Sequence, residues 1–147
     1  MIDKKQIHAF CIKKQEEEVQ NFESRVSSLK ADVNSHNESA SQTEERTAGN
    51  VDLLRNYEQE LRFSHMEMTN LQSINPAVVN TKVESGAVVM TNHLNFFISI
   101  PIDKIEIEGV SFVGISTKAP IYSEMQGKKK GDTFKFNNME YSILELY

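Results

Sequence analysis

The sequence predicts an α+β protein in which an antiparallel α-helical hairpin precedes a small, mainly antiparallel β domain with one short helix. Residues 1–75 contain one glycine and no proline, whereas residues 76–147 contain five glycines and all three prolines. Glycine and proline interrupt regular structure, so a segment almost without them can form long helices. Apolar residues at heptad spacing in the first segment and β-prone runs between turn residues in the second support the same division into two domains.

Two apolar seams in residues 1–75 predict two helices that pack against each other. The first seam comprises Ile12, Val19, Phe22, Val26, Leu29 and Val33, and its extension adds His8, Gln15, His36 and Ala40. The second comprises Leu54, Tyr57, Leu61, Ser64, Met68 and Leu71. Such spacing places the apolar side chains on one stripe of each helix. Ser, Asn and Thr residues between about Asn34 and Asn50, together with Gly49, predict a break that allows an antiparallel coiled coil.

Residues 76–147 predict a β-rich domain. One hairpin is expected from residues 86–91 and 95–100, and a second from residues 133–136 and 140–144 around Asn137 and Asn138. Asparagine tolerates the positive φ angles of a tight hairpin turn. Further strands are expected near residues 104–108 and 110–117. Between these strands and the second hairpin, Pro120 suits the first turn of a short helix and Gly127 suits its end.

Composition excludes several functional classes. The chain of 147 residues carries 16 Lys and Arg against 21 Asp and Glu, a formal net charge of −5. Strong direct DNA binding is not expected, because binding to phosphates needs a basic surface. Apolar runs are too short for a membrane span, and the N-terminal residues do not resemble a secretory signal. The single cysteine, Cys11, cannot form an intramolecular disulfide, which fits a cytoplasmic location.

Three segments between residues 115 and 144 resemble the C-terminal domain of the bacterial transcript cleavage factors of the Gre type. They read Ile-Ser-Thr-Lys-Ala-Pro-Ile from Ile115, Met-Gln-Gly-Lys-Lys-Lys-Gly-Asp from Met125, and Tyr-Ser-Ile-Leu from Tyr141. In that family a strand leads into a proline-initiated helix, a Gly-Lys-Lys-x-Gly-Asp turn and a closing strand. The resemblance implies an FKBP-like β domain in residues 76–147 and a helical hairpin in residues 1–75.

The resemblance also implies a partner. Gre-type factors dock on core RNA polymerase through the C-terminal domain and insert the hairpin into its secondary channel. Acidic residues at the hairpin tip help to hold a catalytic Mg²⁺, so that the polymerase cleaves its own backtracked RNA. Glu44 and Glu45 are the candidates for this accessory catalytic role, with a Mg²⁺ shared with the polymerase and no stably bound cofactor. The residues that match the C-terminal motif, and are therefore candidates for docking, are Pro120, Gly127, Lys128, Gly131 and Asp132.

The predicted tip departs from the Gre pattern, which is Asp-x-x-Glu followed by Asn-x-Glu-Tyr. Here the nearest acids are Glu38, Glu44, Glu45 and Asp52. Stimulation of cleavage and occupation of the channel without stimulation therefore both remain open, and in either case the protein is expected to be an accessory factor. An exposed acidic turn that complements a helix dipole is the ordinary alternative for Glu44 and Glu45. A solvated end of the short helix is the ordinary alternative for the lysines of residues 128–130.

Two functions of other classes remain open. An FKBP-like prolyl isomerase or peptide-binding module would use aromatic residues as a proline-binding pocket, although a core is their ordinary role. These residues are Phe96, Phe97, Phe112, Phe134, Phe136 and Tyr141. A coiled-coil scaffold would dimerise through residues 1–75. A monomer is expected instead, because an intramolecular hairpin satisfies both seams. The four histidines show no zinc-binding spacing.

Overall fold

The computed structural model describes the backbone of residues 1–35 and 44–147 and the side chains of residues 1–33 and 49–147. Two long helices come first, α1 (Lys4–Ser35) and α2 (Glu44–Gln72), and a short helix, α3 (Pro120–Met125), lies among the strands. The strands are β1 (Val88–Thr91), β2 (Asn95–Ile98), β3 (Ile102–Ile107), β4 (Val110–Ile115), β5 (Thr133–Phe136) and β6 (Met139–Leu146). This order of elements confirms the predicted fold class. Every helix in residues 1–35 and 44–147 is either too short or too polar to span a membrane.

Packing divides the chain into two units. The first, called the sheet unit, comprises Met1–Ile12 and Asn70–Tyr147, and the second, called the helical unit, comprises Lys13–Thr69. The sequence-based boundary at residue 75 follows the change from helix to strand, whereas these units follow contacts. The two boundaries differ because the first turns of α1 and the last turn of α2 contribute side chains to the core of the sheet unit.

Within the helical unit, α1 and α2 are antiparallel and pack through the predicted seams. Gln15 contacts Ser64, whereas Lys30, further along α1, contacts Glu58, which comes earlier in α2. Val19 and Val26 are buried, whereas Phe22 between them and most remaining seam residues are half-buried. Because each seam is covered by the other, the apolar stripes that would drive dimerisation are already satisfied within the chain. The expected monomeric state stays a prediction.

The predicted break between the helices is too long. α1 continues to Ser35 and α2 begins at Glu44, so the predicted break from Asn34 to Asn50 overlaps the helices at both ends. Gly49, which was expected to interrupt the helix, lies inside α2. A helix tolerates one such glycine because the cost relative to alanine is only about 1 kcal/mol. Residues 36–43, which include the seam positions His36 and Ala40 and the acid Glu38, lie outside the described residues.

The sheet unit contains one six-stranded sheet in the order β3-β4-β2-β1-β6-β5. All neighbouring strands are antiparallel except β2 and β4, which pair in parallel. Both predicted hairpins form, β1 with β2 and β5 with β6. Asn137 and Asn138 have φ angles of 52° and 63°, as the predicted tight turn requires. The parallel pair was not predicted, because β2 and β4 are separated by β3.

Both faces of this sheet are buried. On one face, Phe97 and Phe112 pack with the apolar residues Ile7 and Cys11 of α1 and Leu71 of α2. The other face packs against α3, and its cluster comprises Val83, Ala87, Val89, Phe96, Ile98, Ile115, Tyr122, Met125, Phe134, Tyr141 and Ile143. Neighbouring residues of β2 alternate between the two clusters, since side chains of a strand point to opposite faces in turn. The first turns of α1 and the last turn of α2 therefore pack on one face of the sheet.

Gly114 in β4 permits a close approach of backbones. A Cβ atom at this position would lie 2.6 Å from the Ile100 carbonyl oxygen and 2.8 Å from Ile102 Cβ. We expect Gly114→Ala to lower the free energy of unfolding by about 2–3 kcal/mol, because neither neighbour can move without shifting the sheet. Urea denaturation of the full chain measures this value. Gly49→Ala is the matched control: a Cβ there meets nothing within 4 Å, and the gain is up to about 1 kcal/mol.

Candidate partner-binding site

α3 begins at Pro120 because the local sequence allows a helix to start there. Ala119, the residue before the helix, is extended with φ −66° and ψ 140°, as the residue before a proline prefers. Pro120 then occupies the first turn, where its missing N–H costs no hydrogen bond. The side chains of Tyr122 and Met125 are buried and fix the helix on the sheet, whereas Pro120 is exposed. The start of α3 therefore offers a proline ring to solvent.

The Gly-Lys-Lys-Lys-Gly-Asp string after α3 forms a turn whose backbone is held at two places. At its start, the Gly127 N–H donates to the Val83 carbonyl over 2.9 Å, and the Val83 N–H donates to the Lys128 carbonyl over 2.8 Å. At its end, the Gly131 N–H donates to the Ile143 carbonyl over 2.9 Å. Gly127 and Gly131 have φ angles of 76° and 91°, which favour glycine. Both glycines of the motif are thus explained by backbone geometry.

Asp132 closes the same turn with its side chain. Its carboxylate Oδ2 accepts a hydrogen bond from the Lys129 N–H over 2.8 Å, and its own N–H donates to the Lys129 carbonyl over 2.9 Å. The Ile143 N–H in turn donates to the Asp132 carbonyl over 2.9 Å, which joins the turn to β6. Asp132 therefore has a role in the fold whether or not it also contacts a partner.

The five predicted docking residues lie at the two ends of α3. Pro120 begins this six-residue helix, which is about 9 Å long, and the other four residues follow its end. Lys128 is half-buried, and the remaining four are exposed. Since the backbones of Gly127 and Gly131 are already engaged, the groups available to a partner are the Pro120 ring and the Lys128 ammonium. The exposed edge of the Asp132 carboxylate is the third. Their contact with a partner stays a prediction.

The lysines of the turn have unequal surroundings. The Lys130 Nζ lies 3.1 Å from Glu145 Oε1, and the Lys130 side chain is largely exposed whereas that of Glu145 is partly exposed. Exposed ion pairs of this kind contribute little to stability, typically less than about 1 kcal/mol. Lys129 is exposed, and its backbone rather than its ammonium holds the turn. Both interpretations of this run, as a contact surface and as a solvated helix end, fit these positions.

Glu44 and Glu45 are the first two residues of α2, but their side chains lie outside the described residues. Acidic residues in the first turn of a helix complement its dipole. Their ability to converge on one metal ion therefore stays a prediction. Within the described residues, no three side chains of His, Cys, Asp or Glu are grouped as a metal site.

The six aromatic residues considered for a proline pocket do not lie on one side of the sheet. Phe97 and Phe112 belong to the cluster that packs against α1 and α2, whereas Phe96, Phe134 and Tyr141 belong to the opposite cluster. In the second group the rings of Phe134 and Tyr141 are stacked with centroids 4.8 Å apart. Because all five are at most 5% exposed, these rings form the core instead of a shared pocket.

Lys4 is a buried charged residue that the sequence pattern did not reveal. Its ammonium donates to the Val78 carbonyl over 2.7 Å and to Asn80 Oδ1 over 2.6 Å, and the Asn80 amide donates to Glu84 over 2.8 Å. Burial lowers the pKa of Lys4, and the nearby Glu84 carboxylate opposes this shift. Lys4 thereby fixes the segment after α2 to the first turn of α1. No local signal marks it, because its partners are more than 70 residues away.

Neither a protein-family model nor a curated protein matches the chain. Among solved structures, Gfh1 of Thermus thermophilus, a GreA factor homolog, is similar at 11% identity with a TM-score of 0.35, over 92% of this chain and 94% of that chain. Gfh1 of Thermus aquaticus and a structure of the transcription factor Gfh1 are similar at 13% identity with a TM-score of 0.33, over 92% of both chains. TM-scores this low do not establish a common fold, so the fold is defined by the elements described above.

We expect Asp132→Ala to lower the free energy of unfolding by about 1 kcal/mol, since the turn loses a hydrogen bond to a charged acceptor that is exposed to solvent. Urea denaturation measures the change. Lys129→Ala is the matched control, because the Lys129 group that donates to Asp132 is its backbone N–H, which the substitution keeps. Equal losses for the two variants would contradict a role of the Asp132 carboxylate in the turn.

Proposed function

We propose that the protein is an RNA polymerase-binding transcription elongation factor of the Gre type, which inserts its helical hairpin into the polymerase secondary channel and modulates transcript cleavage. One observation supports the proposal above others. The residues of the Gre-like motif form a continuous strand, proline-initiated helix, Gly-Asp turn and closing hairpin, in the same chain as a long antiparallel helical pair. Each half has other uses, but their combination is typical of this family.

The length of the helices suits a role inside a channel. α1 has 32 residues and α2 has 29, which correspond to about 48 Å and 43 Å at 1.5 Å per residue. Their seams pack together, so the pair keeps its shape without a partner. A stiff pair of this length can carry a side chain far into another protein. We propose that Glu44 and Glu45, at the start of α2, are the side chains delivered.

Under this proposal the polymerase supplies the catalytic centre, and this chain is an accessory factor rather than an enzyme. Transcript cleavage displaces one RNA oxygen from phosphorus by water, and two metal ions stabilise the attacking and the leaving oxygen. Mg²⁺ keeps several of its waters and takes only one or two protein carboxylates, so a pair of glutamates is a sufficient contribution. The acidity of the chain agrees with this role, since these side chains would meet a metal ion and not a phosphate backbone.

Docking would use the surface at the two ends of α3. Pro120 begins a helix whose Tyr122 and Met125 are buried, and Lys128 belongs to a turn held by backbone hydrogen bonds, so little backbone conformational entropy is lost when a partner binds. The core of the sheet unit lies beneath α3, with Met125 fully buried. A rigid contact surface of this kind fits a factor that must place its hairpin reproducibly.

We expect the wild-type protein to change the rate at which backtracked polymerase complexes cleave their RNA. If it stimulates cleavage, the double substitution Glu44→Ala and Glu45→Ala should reduce the rate to that of polymerase alone. The reason is the loss of both carboxylates that would reach the metal site. A cleavage assay on backtracked complexes measures the rate and also shows whether the factor stimulates or inhibits. Binding to core polymerase should remain nearly intact.

The matched control is the double substitution Glu16→Ala and Glu17→Ala, which removes the same charge from exposed positions of α1 outside the seam. This control should behave as wild type in the cleavage assay. If the Glu44 and Glu45 variant keeps the wild-type effect on cleavage, these residues have no part in the mechanism. If the full chain fails to copurify with core polymerase under conditions in which a known Gre factor binds, the proposed function is wrong.

We expect Lys128→Ala to weaken binding to core polymerase by about 1–2 kcal/mol, or roughly 5- to 30-fold in Kd, because it removes the ammonium of a half-buried residue on the proposed docking surface. Titration of labelled protein with core enzyme measures the affinity. Lys135→Ala is the matched control, because Lys135 is exposed on the edge strand β5 and loses the same charge. An equal loss of affinity for both variants would indicate a general effect of charge, and Lys128 would then not belong to the docking surface.

A further inference from the structure

Three polar residues form a buried layer inside the helical unit, called the polar layer. Gln15 of α1 is 1% exposed, Ser64 of α2 is 2% exposed, and Glu67 of α2 is 9% exposed. Gln15 and Ser64 occupy seam positions, where a helical pair ordinarily places apolar side chains. A buried amide, hydroxyl and carboxyl are costly unless each finds a partner, so their presence at the interface needs a physical explanation.

The layer is joined by hydrogen bonds that cross the helical pair. The Gln15 amide Nε2 donates to the Ser64 carbonyl over 2.9 Å, and Gln15 also shares a side-chain hydrogen bond with Glu67. The Ser64 hydroxyl donates to the Leu61 carbonyl one turn earlier over 2.8 Å. Sliding α1 against α2 by one turn would separate Gln15 from Ser64 and Glu67 and break its hydrogen bonds to both. The layer thus fixes the register of the pair.

Glu67 is the member of the layer whose state can change. Burial raises its pKa, and two further carboxylates act in the same direction, Glu18 from α1 and Glu60 from α2. The hydrogen bond from Gln15 opposes the shift, and burial outweighs it. Burial and the two neighbouring carboxylates therefore both disfavour the charged form of Glu67, and a proton on Glu67 relieves the desolvation and the repulsion.

We propose that the polar layer is a proton-operated lock on the helical pair, in which uptake of one proton by Glu67 tightens the packing of α1 on α2 and its release loosens it. The lock is independent of the proposed function. It depends on the buried cluster and on two nearby carboxylates, of which Glu18 belongs to α1 and Glu60 to the same helix as Glu67.

The direction of the effect follows from linkage between protonation and folding. The folded-state pKa of Glu67 lies above the ordinary value of 4.5, which applies when the chain is unfolded. The folded pair therefore binds this proton more tightly than the unfolded chain does. The stabilising contribution is complete below the unfolded pKa and is lost as pH rises through the folded pKa. Near neutral pH the ionised Glu67 opposes the packing of the pair.

Two measurements on the full chain test the lock. First, the pH titration of the Glu67 carboxyl ¹³C resonance should give a pKa above the ordinary value of 4.5. This experiment needs no variant. Second, urea denaturation gives the ratio of the unfolding equilibrium constants of wild type and Glu67→Gln. Glutamine keeps the shape and hydrogen bonding of the neutral carboxyl. The unfolding equilibrium constant of wild type, divided by that of Glu67→Gln, should therefore decrease as the pH is lowered from about 8 to about 4. The decrease should be about tenfold for each unit by which folding raises the pKa of Glu67.

Glu16→Gln is the matched control, because it removes an acid from an exposed position of α1 outside the seam. The ratio of the unfolding equilibrium constants of wild type and Glu16→Gln should stay nearly constant over the same pH range. A Glu67 pKa at or below 4.5 in the NMR titration would overturn the proposal. A wild-type to Glu67→Gln ratio that does not change with pH would overturn it too, and the layer would then only fix the register.

Discussion

The sheet unit is constrained by a sheet that must be covered on both faces. α3 covers one face and the ends of the two long helices cover the other, with Ile7 and Leu71 fully buried against β-strand residues such as Phe97. A sheet with an exposed apolar face in a domain of this size would bury too little surface to be stable. The N-terminal residues therefore belong to the sheet as much as its strands do. A fragment that begins at residue 76 would lack Ile2, Ile7, Cys11 and Leu71, which help to cover one of the two faces.

The same constraint explains why α3 and its turn are so closely specified. Met125 must reach the core while the chain reverses direction immediately afterwards, so the turn needs two positive φ angles at Gly127 and Gly131. The Asp132 carboxylate then holds the end of the turn. A family motif can thus arise from folding requirements, and contact with a partner would use the side chains that these requirements leave free.

The features that the sequence predicted well are those set by neighbouring residues. Heptad spacing located both seams, and Asn137 with Asn138 located a hairpin turn, because each depends on a few adjacent positions. The parallel pairing of β2 with β4 and the burial of Lys4 depend on contacts between distant segments, and no local pattern encodes them. Glu67 was missed for a related reason, since it lies beside the seam and is buried only by the pairing itself. The same distinction applies to the candidate site. The backbone roles of Gly127 and Gly131 follow from local turn geometry, whereas the contacts with a partner cannot be derived from the sequence.

The sheet unit is assembled from two stretches that are far apart in the chain. The Tyr147 hydroxyl donates to the Ile2 carbonyl over 2.6 Å, across a sequence separation of 145 residues. During synthesis, the apolar side chains of residues 1–12 leave the ribosome long before the strands that bury them. The helical pair is complete once α2 has been synthesised and can form earlier, whereas the sheet must wait for β6. The helical pair would then hold residues 1–12 next to residues 70–72 until the last strand arrives, which shortens the loop that the final folding step must close.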